Sequence, residues 1–242
     1  MANVSWRALH LASRLIVQRR ITLEVSGRDL VPATGPVIVA ARHFHHLYDG
    51  CILLATINRP AHILAAIDWM QHPIGRAILR SACRAAQWPV IHRPDSPYPG
   101  RSADARHLLL QATRQTLRLL EHGHVVMVFP EAYPTIDPGL TLKTRPDEFL
   151  AFRPGFARFA LLASRIGLRV PIVPAGLAYE RAQGGWHVVL RFGEPVIIGP
   201  GDQAVAEVVR LVEDQVKTLS LPGAERAPAL MAVPDLAQTD HA

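Results

Sequence analysis

Short apolar runs alternate with helix-period segments along most of the chain, and this alternation constrains the fold more than any other feature. The runs "ITLEVSG" (21–27), "PVIVAA" (36–41), "AHILAAI" (61–67), "WPVIH" (88–92), "HVVMVFPE" (124–131), "VPIVPAGLAY" (170–179) and "WHVVLRFGEPV" (186–196) read as strands. Between them lie segments with helical spacing: 4–20, 48–57, 72–83, 105–123 (stopped by Gly123), 154–167 and 204–219. Strands that alternate with helices predict one α/β domain, a largely parallel central sheet flanked by helices. Active groups in such sheets gather at the carboxyl ends of strands. Two chemistry-bearing stretches fall there: "RHFHHLYD" (42–49) after "PVIVAA", and Glu131 after "VVMVFP".

The chain divides into an N-terminal amphipathic helix (1–21), the α/β domain (22–221) and a tail rich in Ala and Pro (222–242), expected to be loose. In the first helix Ala8, Leu11, Ala12 and Leu15 recur on one stripe, while Arg7, Arg14 and Gln18 lie opposite and Trp6 sits near the edge. An apolar face beside a basic one, with Trp at the margin, is the pattern of a helix lying in a membrane interface. No apolar run reaches the roughly 18 residues of a spanning helix, and no signal peptide is visible. Cys51 and Cys83 stand alone in apolar helical patterns, which fits a reducing compartment. The expectation is a peripheral protein on the cytoplasmic face of the cell membrane. The 26 Lys+Arg outnumber 20 Asp+Glu, and Lys occurs only at Lys143 and Lys217. Such a surface suits an anionic partner. No basic face interleaved with aromatics marks a nucleic-acid site, so none is expected.

The cluster of His43, His45 and His46 beside Asp49 admits three readings. As a metal site it starts like the HxHxDH run of metal-dependent hydrolases, but Leu47 stands where an acidic ligand is needed, so no metal is expected. As structure, the imidazoles cap or pack a helix start. As chemistry, a carboxylate that fixes a histidine tautomer makes a general base able to deprotonate a hydroxyl. His45 and Asp49 lie one helical turn apart, whereas His43 needs a looped approach to the same carboxylate. No serine or cysteine nucleophile accompanies them, so direct transfer to a substrate hydroxyl is favoured.

With these residues in place, the chain resembles the lysophosphatidic acid acyltransferase family, as a divergent member, over roughly residues 22–199. "GPVIVAARH" (35–43) with Asp49-Gly50 matches the family's Gly-Pro strand and His-x4-Asp block. "WPVIHR" ends at the matching Arg93, "VFPEAYP" (128–134) matches Phe-Pro-Glu-Gly-Thr-Arg, "FRPG" (152–155) fits Phe-Lys-x-Gly, and "VPIVPAG" (170–176) matches the Val/Pro strand. Three departures stand out. Five residues separate His43 from Asp49 instead of four, Arg42 replaces the family Asn, and Ala132-Tyr133-Pro134 replace Gly-Thr-Arg.

The resemblance implies an O-acyltransferase that moves a fatty acyl group from acyl-CoA or acyl carrier protein to the hydroxyl of a lysophospholipid or related lipid alcohol. No cofactor is implied; the acyl thioester is a substrate. It implies His43 as base, with His45 the alternative, oriented by Asp49. It implies substrate contacts from Arg93 and Glu131, with Lys143, Arg145 and Arg153 as further sources of charge. Backbone N–H groups at the following helix start are expected to hold the oxyanion. Two other functions compete: a metal-dependent hydrolase using the histidines, and a catalytically inactive lipid-binding membrane protein.

Overall fold

The computed structural model describes residues 2–70, 72–93, 95–96, 102–137, 141–199 and 204–223, with backbone only for 2–5, 102–104 and 204. The expected loose tail therefore lies, beyond residue 223, outside the described residues. In chain order the elements are α1 (Ala2–Arg20), β1 (Ile21–Ser26), a 3-10 turn (Arg28–Leu30), β2 (Val37–Ala41), α2 (Tyr48–Thr56), β3 (Ala61–Ile63) and β4 (Ala65–Ala66). There follow α3 (Pro73–Ala85), β5 (Val90–Ile91), α4 (Ser102–Glu121), β6 (Val125–Val128), α5 (Gly155–Arg165), β7 (Pro171–Ala182), β8 (Gly185–Phe192), β9 (Val196–Ile197) and α6 (Ala204–Leu219).

Seven strands form the main sheet in the order β1-β8-β7-β2-β6-β3, with β9 beside β7. β2 is central and runs parallel to both neighbours, Ala40 pairing with Val128 on one side and Pro174 on the other. Among the described residues only the β7–β8 hairpin and the β7–β9 pair are antiparallel. All five residues of β2 are buried, as expected for a strand covered on both faces. Ile38 and Ala40 point to a core shared with α4, α5 and α6 through Leu120, Phe156 and Val212. Val37 and Val39 point to the opposite core, where Ile52 and Leu53 of α2 and Val17 of α1 pack. Gly123 takes φ +73 and ends α4, a conformation L side chains resist.

The expected parallel α/β layering is present, with two local differences. "AHILAAI" is not one strand. Ala61–Ile63 joins β6, and Ala65–Ala66 turns away to pair with β5 in a separate two-stranded sheet. "WHVVLRFGEPV" also splits, because Gly193 and Pro195 interrupt it before β9. In α1 the stripe Ala8, Leu11, Ala12 and Leu15 faces outward, with Leu11 59% and Leu15 48% exposed. The helix meets the domain through Ser13 and Val17, and the His10 ring bonds the Leu54 carbonyl at 2.7 Å. Among the described residues no helix is long and apolar enough to cross a membrane.

Candidate active site

Because β2, β6 and β7 run parallel, their carboxyl ends share one edge of the sheet, and three segments converge there. His43 follows β2 by two residues, Glu131 follows β6 by three, and Tyr179 lies in the outer part of β7.

Asp49 is fully buried at the start of α2, and its carboxylate turns back toward β2. Oδ2 accepts from the His43 ring Nδ1 (3.0 Å) and from the backbone amides of Phe44 (2.6 Å) and His45 (2.8 Å). Oδ1 accepts from the Tyr179 phenol at 2.6 Å. Four donors satisfy a charge that would otherwise be expensive to bury. Burial pushes the Tyr179 phenol well above its ordinary pKa, and the adjacent Asp49 charge adds to that, so it remains a donor at all physiological pH.

With Nδ1–H donated to Asp49, Nε2 of His43 carries the lone pair, and it has no hydrogen-bond partner among the described residues. The ring stacks on Phe129, centroids 4.4 Å apart, and its side chain keeps 14% exposure. This is the geometry of a general base: tautomer fixed on one side, reactive nitrogen open on the other.

The extra residue between His43 and Asp49 is taken up by a loop that wraps the carboxylate. Phe44 turns inward and stacks on Tyr179 at 4.4 Å. The loop is pinned to the 132–137 segment, where the Ile136 amide donates to the Phe44 carbonyl (2.7 Å) and the His46 amide to the Ile136 carbonyl (3.1 Å). His45 thus offers Asp49 its backbone and not its ring. That ring instead caps α2, Nδ1 accepting from the amides of Leu47 (3.2 Å) and Tyr48 (3.4 Å). Burial, with His46 beside it, lowers its pKa, the direction that favours a neutral ring. The amides leading into the helix are all bonded within the protein: Phe44 and His45 to Asp49, His46 to the Ile136 carbonyl, and Leu47 and Tyr48 to the His45 ring.

Glu131 braces His43 from the other side. Oε1 accepts from the His43 amide (2.9 Å), while Oε2 accepts from the Leu150 amide (3.0 Å) and pairs with Lys143 Nζ at 2.6 Å. The Lys143 ammonium also donates to the His43 carbonyl at 2.7 Å. Both charged side chains are sealed from solvent. Burial lowers the lysine's pKa, and Glu131 offsets only part of that fall. Lys143, expected at the substrate, therefore holds the backbone of His43 through the interior.

Arg93 is buried as well. Its Nε binds Asp68 (2.9 Å), a guanidinium N–H donates to the Ala132 carbonyl (3.1 Å), and the group lies over the Tyr133 ring at 4.1 Å. Ala132 takes φ +66, the left-handed region where the family carries Gly. Tyr133 fills the space beneath Arg93, completely buried. Of the remaining expected contacts, Arg153 is partly exposed and pairs with Asp95, whereas Arg145 is 71% exposed beside Asp147. Arg145 does line a cleft of about 550 Å³ with Arg42, Phe44, Lys143, Tyr179 and Arg181. The buried Arg42 guanidinium donates to the carbonyls of Leu177 (3.0 Å) and Pro146 (3.1 Å) and stacks on Phe149 at 4.4 Å. It therefore crosslinks β7 to the 146–149 loop.

Among the described residues no three His, Cys, Asp or Glu side chains converge to hold a metal ion. Tyr179 and the structural role of Arg42 had no signal in the sequence beyond an aromatic in a strand and an Arg at its end.

The comparisons with known proteins bear on this arrangement. No curated protein matches the chain. Among solved structures, the fold is similar to that of the 1-acyl-sn-glycerophosphate (LPA) acyltransferase PlsC from Thermotoga maritima. The TM-score is 0.56 and the identity 16%, with 88% of this chain and 76% of that one covered. The model of the acyltransferase family matches residues 22–178, which include His43, Asp49, Arg93 and Glu131. The chain belongs to the acyltransferase family.

Proposed function

We propose that the protein transfers a fatty acyl group from an acyl thioester to the hydroxyl of a lysophospholipid or related lipid alcohol, with His43 as general base. The observation that carries this reading is the His43–Asp49 pair, with Nδ1 bound and Nε2 open at 14% side-chain exposure. Nε2 takes the hydroxyl proton as the oxygen attacks the thioester carbonyl. The carbon–sulfur bond then breaks, the thiolate takes the proton back from the imidazolium, and an ester and a free thiol leave. The Asp49 carboxylate stabilises the imidazolium. Glu131 and Lys143 fix the His43 backbone, which keeps the ring aimed.

For the acceptor's anionic group, Arg153 is the best placed of the expected residues. Arg93 and Lys143 are buried in ion pairs, and Arg145 is largely exposed beside Asp147. The donor is acyl-CoA or acyl carrier protein. The outward stripe of α1, with Leu11 and Leu15 exposed among arginines, supports a peripheral seat on the cytoplasmic face of the cell membrane.

The experiment is product formation read by mass spectrometry, with purified protein, both donor types, lysophosphatidic acid and a panel of uncharged lipid alcohols. Phosphatidic acid as product supports the phosphorylated acceptor. Turnover confined to an uncharged alcohol would show that loss of Gly-Thr-Arg marks a changed acceptor. Lipid binding without turnover under any pairing would contradict the proposal.

A further inference from the structure

Helix α3 is reversed relative to an ordinary surface helix, which points its apolar residues at the core. Cys83 is its one buried residue, with Leu79 and Gly75 partly covered. Ile74 and Ile78, one turn apart, are each 65% exposed, and Ala77, Ser81 and Ala85 share the outward side. Arg76, Arg80 and Arg84 run along one flank at four-residue spacing. Trp69, just before the helix, is 40% exposed. From Trp69 to Pro94 the sequence contains no carboxylate at all. Arg80 and Arg84 make no ion pair among the described residues.

A second feature lies behind the arginine row. A groove of about 770 Å³ separates α3 from α4, and Arg80, Arg84 and Arg118 line it together with Trp88, His122 and His124. Among the described residues no acidic side chain lines it. An apolar ridge, a tryptophan at its end and an unneutralised basic groove beside it match a lipid interface: acyl chains for the ridge, phosphates for the groove.

We propose that the outward face of α3, with Trp69, is a docking surface for anionic membrane lipid. A second copy of this chain would set its own arginine row against this one, which repels. An acidic protein would satisfy the arginines and leave both isoleucines in water. A lipid surface satisfies both. The face also adjoins the site. Asp68, the residue before Trp69, holds Arg93, and Arg93 holds the Ala132 carbonyl next to Glu131. The inference rests on the lipid acyl-transfer reading, and it adds a contact separate from α1 that places the catalytic edge near the bilayer.

The test is flotation of the full-length protein with vesicles of phosphatidylcholine alone and of phosphatidylcholine mixed with phosphatidylglycerol, without acyl donor or acceptor. The variants are Ile74→Ser/Ile78→Ser and Arg80→Gln/Arg84→Gln, all exposed positions, with thermal midpoints checked. Each pair is expected to weaken binding to anionic vesicles about tenfold or more while turnover of a short-chain, detergent-dispersed acceptor stays unchanged. Unaltered vesicle binding in both variants would overturn the proposal. So would a parent dimer that the isoleucine pair dissolves, or an arginine pair that loses an acidic acyl carrier protein yet keeps vesicles. Lost vesicle binding with no acyl transfer by the parent would uphold this surface and sink the acyl-transfer reading, so the two fail separately.

Discussion

The Tyr179 phenol donates to Asp49 Oδ1 at 2.6 Å, across 130 residues of sequence, and completes the set of four donors on that carboxylate. Tyr179 bonds Asp49 and not the His43 ring. It holds the Asp49 carboxylate that bonds the His43 ring. Tyr179→Phe keeps the ring against Phe44 and removes one bond to a charge, worth roughly 1–3 kcal/mol. The expected outcome is a kcat lowered about tenfold with KM nearly unchanged, and an acid limb of the pH–rate profile displaced from its wild-type position. A drop in thermal midpoint with unchanged kcat would assign Tyr179 to packing alone.

Lys143 and Glu131 form a sealed ion pair at 2.6 Å. Removing one partner leaves a buried charge unpaired, so Lys143→Met should cost about 3–5 kcal/mol in urea unfolding. Adding Glu131→Leu should recover part of that loss, giving a coupling energy of about 1 kcal/mol or more in a double-mutant cycle. A Lys143 whose change raised KM and left stability alone would belong at the substrate instead.

Ala132 holds φ +66 in the turn that carries Glu131. That conformation costs a non-glycine residue roughly 1–2 kcal/mol, against about 0.5–1 kcal/mol of extra unfolded-state entropy for glycine. Ala132→Gly should therefore raise stability by up to about 1 kcal/mol, measured as a higher urea midpoint at constant m.

The His62–His124 pair gives a pH signature away from the site. His62 Nδ1–H donates to the Ala86 carbonyl (3.1 Å), and its Nε2 accepts from His124 Nδ1 (2.8 Å). Burial pushes His62 down to about 4 from 6.5. The folded state therefore binds the proton less readily than the unfolded chain. Stability should be full above pH 6.5, fall as pH drops toward about 4 and level below, by at most about 3 kcal/mol. Urea unfolding across that range checks it, and His62→Gln should remove most of the slope.

The layering was legible because buried parallel strands write themselves as continuous apolar runs; His43, Glu131 and Arg93 stood out because they lie just past such strands, and Asp49 because it opens the helix after the first of them. What each of them touches was not. Lys143 reads as a loop charge, since 132–150 has no period to say which side faces inward. Tyr179 reads as one aromatic in a strand, and its meeting with Asp49 depends on β7 lying beside β2. His45 has the better helical spacing to Asp49, yet α2 begins only at Tyr48, so the chain there is a loop and the spacing argument lapses. The division of "AHILAAI" between two sheets was hidden because both halves are equally apolar.

The most direct test of the account is single-turnover acyl transfer with His43→Ala, His45→Ala and Asp49→Asn beside wild type, using whichever donor and acceptor the panel identifies. The account predicts a loss of about 10²–10⁴-fold for His43→Ala, a large loss for Asp49→Asn, and near-parental rates for His45→Ala once stability is matched. Parental rates from His43→Ala, or a larger loss from His45→Ala, would contradict it.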